Sequence, residues 1–343
     1  MPGWVDIFRR QRRGSQHTRS LKPRRSKQNA QPVALGAPTA INPEVERLSE
    51  TRQGGNRKKQ SAPSLGTNHL GKFAYEDEMP SWLARRLAKG GQICTDGVIP
   101  VLAKLVEKSH SISYAYFCHP CVQHVSKLSR EGGFCGYRNI QSLTSYVINA
   151  RTSGHEHFQD GLPSIFQIQD LIESAWDLGH NSNGRLETGG IRGTRKYIGT
   201  PEAHALFSSL AIPCVVRAFR PVETGEAWEN MIQAIEAYFA AEWDTKLEKK
   251  VRHTNLPPIY LQHQGHSLTV VGFERSLGGG SCLYVFDPSS RDPESIKKHT
   301  SKGLKNIATR ADSLVDPYRR GKTYLSKYPE FEVLFLQEAI PGP

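Results

Sequence analysis

Apolar residues recur at helical spacing in several stretches of the chain. Such patterns cover 80–108, about 226–243 and the segment 167–178, after which Gly179 is placed to end a helix. The segment 167–178 has the clearest amphipathic spacing, with one apolar face formed by Ile168, Leu171, Ile172, Ala175 and Trp176. We expect these faces to belong to the core of the protein rather than to a cofactor site.

Short runs rich in β-branched and aromatic residues follow, most of them in the second half of the chain. Five such runs predict strands, at 215–219, 259–261, 268–273, 282–286 and 331–336. The glycines at 278–280 predict a turn that makes the third and fourth of these strands a hairpin. Helices followed mainly by strands indicate an α+β fold, with helices packed on an antiparallel sheet.

Charge divides the chain into two parts. Residues 1–66 hold 14 Lys or Arg against 4 Asp or Glu, which accounts for most of the formal net charge of +12. These residues lack apolar periodicity, so we expect 1–68 to be a disordered basic arm and 69–343 to form one folded domain. The clusters Arg9–Arg13 and Lys22–Lys27 are typical of a nuclear import signal or of weak contacts with nucleic-acid phosphates. A solvated tail without a partner is the alternative.

Several classes of protein are excluded by composition. The chain has no run of 18 apolar residues, so no membrane-spanning helix is expected. Its first twenty residues carry five arginines and no apolar stretch, which argues against a secretory signal. Six cysteines among 343 residues are too few for a disulfide scaffold. A reducing compartment, the nucleus and the cytoplasm, is therefore expected.

A candidate nucleophile lies between glycines in the stretch 132–139, and a helical pattern follows it. Cys135 at the start of a helix would place its sulfur near the positive end of the helix dipole, which favours the thiolate. The glycines would let a substrate backbone approach closely. This arrangement is typical of cysteine proteases, in which the N–H of Cys135 would also bind an oxyanion. A buried, inert cysteine is the alternative.

The imidazole that such a thiolate requires has two candidates by chemistry, His263 and His266. Asp287 ends the fourth predicted strand, so the predicted hairpin would return its carboxylate to His266 and fix the tautomer of that ring. His263 lies three residues away and would face the other side of a regular strand. We therefore prefer His266 as the base. A structural role is the alternative for either histidine.

Three motifs together resemble the family of ubiquitin-fold-modifier-specific proteases, most closely its zinc-finger-containing, ubiquitin-specific branch. They are Gly-Phe-Cys135-Gly-Tyr-Arg-Asn-Ile-Gln, Pro-Pro-Ile-Tyr-Leu-Gln262-His-Gln-Gly-His266-Ser and Phe-Asp287-Pro, and the resemblance covers roughly residues 75–340. It implies a papain-like fold and cleavage of peptide or isopeptide bonds after the C-terminal Gly of ubiquitin or a ubiquitin-like modifier. By motif, Cys135 matches the nucleophile, His266 the general base and acid, Asp287 the orienting acid and Gln262 the oxyanion-hole side chain.

The chain departs from the modifier-specific branch at the acid. That branch carries Asp-Pro-His, whereas here Ser289 follows Asp287-Pro288, so the base must lie upstream. This order favours ubiquitin as the substrate and a deubiquitinase as the activity. We also expect the chain to be a monomer. A protease for the ubiquitin-fold modifier is the alternative within the enzymes. A non-catalytic protein that binds ubiquitin-like partners or nucleic acid is the alternative outside them.

A partial zinc motif is present in Cys118-His119-Pro120-Cys121, with His124 nearby. A structural zinc site needs four ligands, and the remaining candidates, Cys94 and His110, are irregularly spaced. We therefore expect buried structural cysteines here, with no metal and no cofactor. Residues 1–66 contain no cysteine, although the resembled branch is known for zinc fingers in that part of the chain.

Overall fold

The computed structural model describes residues 73–221, 226–243, 248–302 and 311–336. The predicted basic arm and its boundary at residue 68 lie outside these ranges. None of the helices in them has the length and apolarity needed to cross a lipid bilayer.

Ten α-helices and ten strands are formed by the described residues. The helices are α1 (Ser81–Ala88), α2 (Val98–Lys108), α3 (Cys135–Asn149), α4 (Ile165–Asp177), α5 (Asn183–Thr188), α6 (Thr200–Ser209), α7 (Ala227–Ala240), α8 (Glu294–Lys302), α9 (Ala311–Val315) and α10 (Lys322–Leu325). The strands are β1 (Ile93–Thr95), β2 (Ile112–Phe117), β3 (His124–Ser126), β4 (Cys214–Phe219), β5 (Val251–His253), β6 (Ile259–His263), β7 (His266–Ser276), β8 (Ser281–Phe286), β9 (Arg319–Gly321) and β10 (Phe331–Leu336).

An eight-stranded sheet forms the centre of the described fold, with β7 as its longest strand. Along one edge β7 pairs first with β6 and then with β2, and along the other edge it pairs with β8. β10 joins β6 to β4, and β9 extends β8. A separate two-stranded sheet pairs β1 with β3.

The helix α3 is buried on every side. Each residue from Cys135 to Val147 is buried, and the helix packs against β7, β6 and β3. A helix in this position holds its first turn rigidly against the ends of β6 and β7. A buried helix that begins with a cysteine and packs on a mainly antiparallel sheet is the papain-like arrangement that the resemblance implied.

The α+β prediction is confirmed, with one correction to the sheet. The predicted helices are present, and α4 begins with a capping box between Ser164 and Gln167. All five predicted strands are present as well, including the hairpin of β7 and β8. The sheet is not wholly antiparallel, however, because β2 and β5 pair in parallel. The prediction missed five strands, β1, β2, β3, β5 and β9, and all of these except β2 have only three residues.

Candidate active site

Cys135 is the first residue of α3 and is enclosed by a tight loop on one side and the segment 195–198 on the other. Gly132 has a φ of +86°, a conformation that favours glycine. A Cβ on Gly133 would lie 2.7 Å from the ring of Tyr197, and one on Gly136 would lie 2.6 Å from the carbonyl oxygen of Ile198. The prediction that these glycines make room for a substrate backbone is therefore wrong for Gly133 and Gly136, since the chain's own segment fills that space.

A buried ion pair fixes this loop onto α3. Arg138 Nε and Nη2 donate to the two carboxylate oxygens of Glu131 at 3.0 and 2.7 Å, and both side chains are almost fully buried. Nη2 also donates to the carbonyl oxygen of Gly91. Because breaking a buried pair leaves an uncompensated charge, the loop before Cys135 is held firmly in position.

The hairpin of β7 and β8 brings His266 and Asp287 together, as the predicted pairing required. His266 Nε2 donates to Asp287 Oδ1 at 2.8 Å. The backbone N–H of Ser289 donates to the same oxygen, and Arg320 Nη2 donates to Oδ2 at 2.9 Å. Burial alone would raise the pKa of Asp287, but the hydrogen bond with His266 and these other donors hold it well below its usual range. The carboxylate therefore remains charged.

The thiol of Cys135 and the imidazole of His266 stabilise each other as an ion pair. Burial raises the pKa of Cys135, yet the hydrogen bond and charge of His266, helped by Ser267 and Lys127, lower it to about 7. Burial lowers the pKa of His266, but the hydrogen bonds with Asp287 and Cys135 raise it to about 9. Since Nε2 binds Asp287, Nδ1 is the atom that faces the sulfur. Between these two pKa values the thiolate and the imidazolium coexist.

Gln262 lies on β6, directly across the hairpin from Ser267. The side chain is buried, and the hydroxyl of Tyr260 donates to its Oε1 at 3.3 Å. This bond assigns the oxygen end of the amide, so the NH₂ end supplies the donors. A primary amide with fixed orientation can stabilise a developing oxyanion without adding a charge.

His263 binds residues outside the Cys135–His266–Asp287 series. The expectation that it would face the opposite side of one regular strand from His266 is wrong. β6 ends at His263 and β7 begins at His266, so the two residues are paired across a two-residue turn at 264–265. Their ring centroids are 6.0 Å apart. His263 is instead hydrogen bonded to the hydroxyl of Tyr324 at 2.7 Å and stacked on Tyr328. Burial lowers its pKa to about 4, so this ring is neutral near pH 7.

Comparison with known proteins places the chain in a family. Residues 111–334, well over half of the chain, match the model of peptidase family C78. The chain belongs to peptidase family C78. A zinc finger-containing ubiquitin peptidase 1 of Mus musculus is 33% identical over 214 residues, which cover 61% of this chain and 37% of the relative. The chain thus spans little more than a third of the length of such mammalian relatives.

Two further proteins are similar to this C78 chain. A ubiquitin carboxyl-terminal hydrolase of Schizosaccharomyces pombe, mug105, is 31% identical over 211 residues, which cover 61% of this chain and 77% of the relative. The crystal structure of UfSP from C. elegans matches with a TM-score of 0.42 and 15% identity, covering 72% of this chain and 38% of that one.

The partial zinc motif of this C78 chain is built into the protein by other contacts. Cys118 is buried, and its thiol contacts the carbonyl oxygen of His119 at 3.8 Å. His124 donates to the carboxylate of Asp292 at 2.8 Å and stacks on Phe286. Within the described ranges no group of three or more His, Cys, Asp or Glu side chains could hold a metal ion. The expected absence of a metal and of a cofactor stays a prediction.

The sequence did not reveal every residue that contacts the site. Arg320 donates to the second carboxylate oxygen of Asp287. It lies on β9, whose three residues are too few to show a hydrophobic periodicity in the sequence. Asn139 lies four residues after Cys135 on the predicted helix, and this spacing could have identified its side chain as a neighbour of the Cys135 side chain. The structure brings Cys135, His266 and Asp287 together and places Gln262 on the adjoining strand. Their catalytic roles stay predictions.

Proposed function

We propose that this chain is a thiol-dependent deubiquitinase that hydrolyses peptide and isopeptide bonds after the C-terminal Gly of ubiquitin. The observation that carries the proposal is the linked series of Cys135, His266 and Asp287, in which a thiol with a lowered pKa faces an imidazole with a raised one. A buried cysteine kept only for packing would have a raised pKa, as burial produces at Cys118.

The first half of the reaction forms an acyl enzyme. The thiolate of Cys135 attacks the carbonyl carbon of the terminal Gly, and the carbonyl oxygen takes up the negative charge. The N–H of Cys135 and the side-chain amide of Gln262 stabilise this oxyanion. As the carbon–nitrogen bond breaks, His266 gives its Nδ1 proton to the leaving lysine amine. Asp287 keeps the ring oriented and stabilises its charged form.

The second half releases ubiquitin. With the amine gone, neutral His266 accepts a proton from a water molecule, which attacks the thioester carbonyl. The oxyanion is stabilised by the same donors. Its collapse breaks the carbon–sulfur bond, frees the carboxylate of ubiquitin and restores the thiolate and imidazolium.

The choice of ubiquitin rests on the relatives and on the order of the residues. The mouse and fission-yeast relatives are named for acting on ubiquitin. The base lies upstream of the acid in this chain, and Ser289 occupies the position that holds histidine in the modifier-specific arrangement. Both observations favour ubiquitin over the ubiquitin-fold modifier.

We also propose that the protein is present in the nucleus and the cytoplasm, and that the basic arm directs its import into the nucleus. This proposal rests on the clusters Arg9–Arg13 and Lys22–Lys27, whose positive charges an import receptor would bind. A further proposal is that the chain acts as a monomer.

The test of substrate choice is cleavage of two fluorogenic C-terminal amides by the full chain, one made from ubiquitin and one from the ubiquitin-fold modifier. The proposal expects kcat/KM to be at least ~10-fold higher for ubiquitin, since each 1.4 kcal/mol of differential transition-state binding is a factor of ten. Preferential cleavage of the modifier would contradict it and favour the modifier protease. Cleavage of neither, by a protein that still binds ubiquitin, would favour a non-catalytic binding protein.

A further inference from the structure

Three buried polar side chains meet beside Cys135 and are not accounted for by the roles proposed above. Asn139 and Thr269 are fully buried, and Ser267 is 1% exposed. Asn139 lies one turn after Cys135 on α3. Ser267 and Thr269 are two residues apart on β7 and therefore face the same side of the sheet. Polar groups buried this deeply must be hydrogen bonded, so the direction of each bond is informative.

The hydrogen bonds of this group run in one direction. The hydroxyl of Thr269 donates to Asn139 Oδ1 at 2.8 Å. The opposite end of the amide, Nδ2, then donates to Ser267 Oγ at 2.9 Å. Ser267 is therefore an acceptor from Asn139, and its own hydroxyl hydrogen remains to be donated to another group.

Hydrogen bonding by Ser267 lowers the pKa of two neighbouring groups, the thiol of Cys135 and the hydroxyl of Tyr260. The Tyr260 hydroxyl gives its own hydrogen to Gln262, and burial raises its pKa well above the usual value, so it stays neutral. An ionised acceptor forms a hydrogen bond roughly twice as strong as a neutral one. Once Cys135 is ionised, the strongest hydrogen bond that the Ser267 hydroxyl can donate is the one to the sulfur.

We propose that Ser267 donates a hydrogen bond to the thiolate of Cys135, and that Thr269 and Asn139 orient it to do so. The proposal rests on the proposed role of Cys135 as nucleophile. Ser267 acts without a charge of its own, so its contribution persists at pH values where His266 has lost its proton. The Asn139 amide thereby links the helix of the nucleophile to the strand of the base.

Other groups near Cys135 also influence the pKa of its thiol, and a test must distinguish their effects from that of Ser267. His266 from β7 and Lys127 from the loop before α3 contribute positive charge and lower the pKa of the thiol. Tyr197, from the segment 195–198, and Tyr260 from β6 also interact electrostatically with Cys135. Burial raises the pKa of both tyrosines, so neither changes its charge in the range where Cys135 titrates.

The experiment measures the rate at which iodoacetamide alkylates Cys135 as a function of pH, in the full chain, by mass spectrometry of the peptide that contains it. This readout needs no ubiquitin, so it stays informative if the substrate proposal fails. In Ser267→Ala the midpoint of the profile should rise by about one unit from its value near 7, which corresponds to about 1.4 kcal/mol of lost thiolate stabilisation. Alkylation at pH 6 should then slow roughly tenfold.

The matched control is Ser145→Ala. Ser145 is also buried on α3, where its hydroxyl donates to the carbonyl oxygen of Ser142 and accepts from the backbone of Gln123. Its removal should leave the midpoint unchanged. An unchanged midpoint in Ser267→Ala, or an equal rise in both variants, would overturn the proposal and leave Ser267 a packing residue.

Discussion

Replacing Asp287 by Asn should narrow the pH range of activity, mainly from the alkaline side. Burial lowers the pKa of His266, but the hydrogen bonds and charges of Asp287 and Cys135 together raise it from its ordinary 6.5 to about 9. The hydrogen bond with Asp287 is the first of the interactions that raise it. A neutral amide keeps the shape and loses that charge, so the pKa of His266 should fall and the imidazolium should be lost at lower pH.

The expected shift is at least ~1 pH unit, equivalent to about 1.4 kcal/mol of interaction between the carboxylate and the imidazolium. The alkaline limb of kcat/KM for a ubiquitin C-terminal amide should move from near pH 9 to about 8 or below. The acid limb, near pH 7, should rise as well, because a less charged imidazole stabilises the thiolate less.

The control for this prediction is Asp292→Asn, which disrupts a pair of the same kind. Asp292 accepts from His124 at 2.8 Å and is buried, yet it binds a different histidine from the one that faces the thiol. Its profile should keep both limbs in place. An alkaline limb that stays within ~0.3 unit of the wild-type value in Asp287→Asn would refute the reasoning, whatever happens to the maximal rate.

Three other variants test separate parts of the site and of the chain. His266→Ala should lower kcat by at least ~100-fold, whereas His263→Ala should be milder because that ring binds tyrosines; the reverse order would contradict the assignment of the base. Gln262→Ala should lower kcat by roughly 10²–10³-fold with little change in KM, and a change confined to KM would argue against an oxyanion role. Neutralising Arg9–Arg13 and Lys22–Lys27 should shift a fluorescently tagged protein from nucleus to cytoplasm, and an unchanged distribution would argue against an import signal.

The helices and the motif residues could be predicted from the sequence because their signals are local. The apolar spacing of α4 and the cysteine between glycines at the start of α3 each lie within one short segment. Asp287 was found because a glycine turn predicts the hairpin of β7 and β8, and a hairpin returns its end to its beginning.

Contacts made by short or distant segments could not be predicted. Arg320 reaches Asp287 from a strand of three residues, too short for any periodic pattern. The relation of His263 to His266 was predicted wrongly because the segment was treated as one regular strand. Gly265 is a turn signal that this treatment overlooked, and it does adopt a φ of +78°. The turn places the two histidines opposite each other on paired strands. Their surroundings differ because each ring binds different partners, not because the rings lie on opposite faces of the sheet.

The central claim is that Cys135 is a nucleophile that captures the C-terminus of ubiquitin, and covalent capture tests it most directly. The full chain is incubated with ubiquitin carrying a C-terminal electrophile, and the modified residue is mapped by mass spectrometry. The account predicts one adduct, on Cys135, and none in Cys135→Ala, whose melting temperature should stay close to that of the wild type. An adduct on Cys118 or Cys121, or undiminished capture by Cys135→Ala, would contradict it.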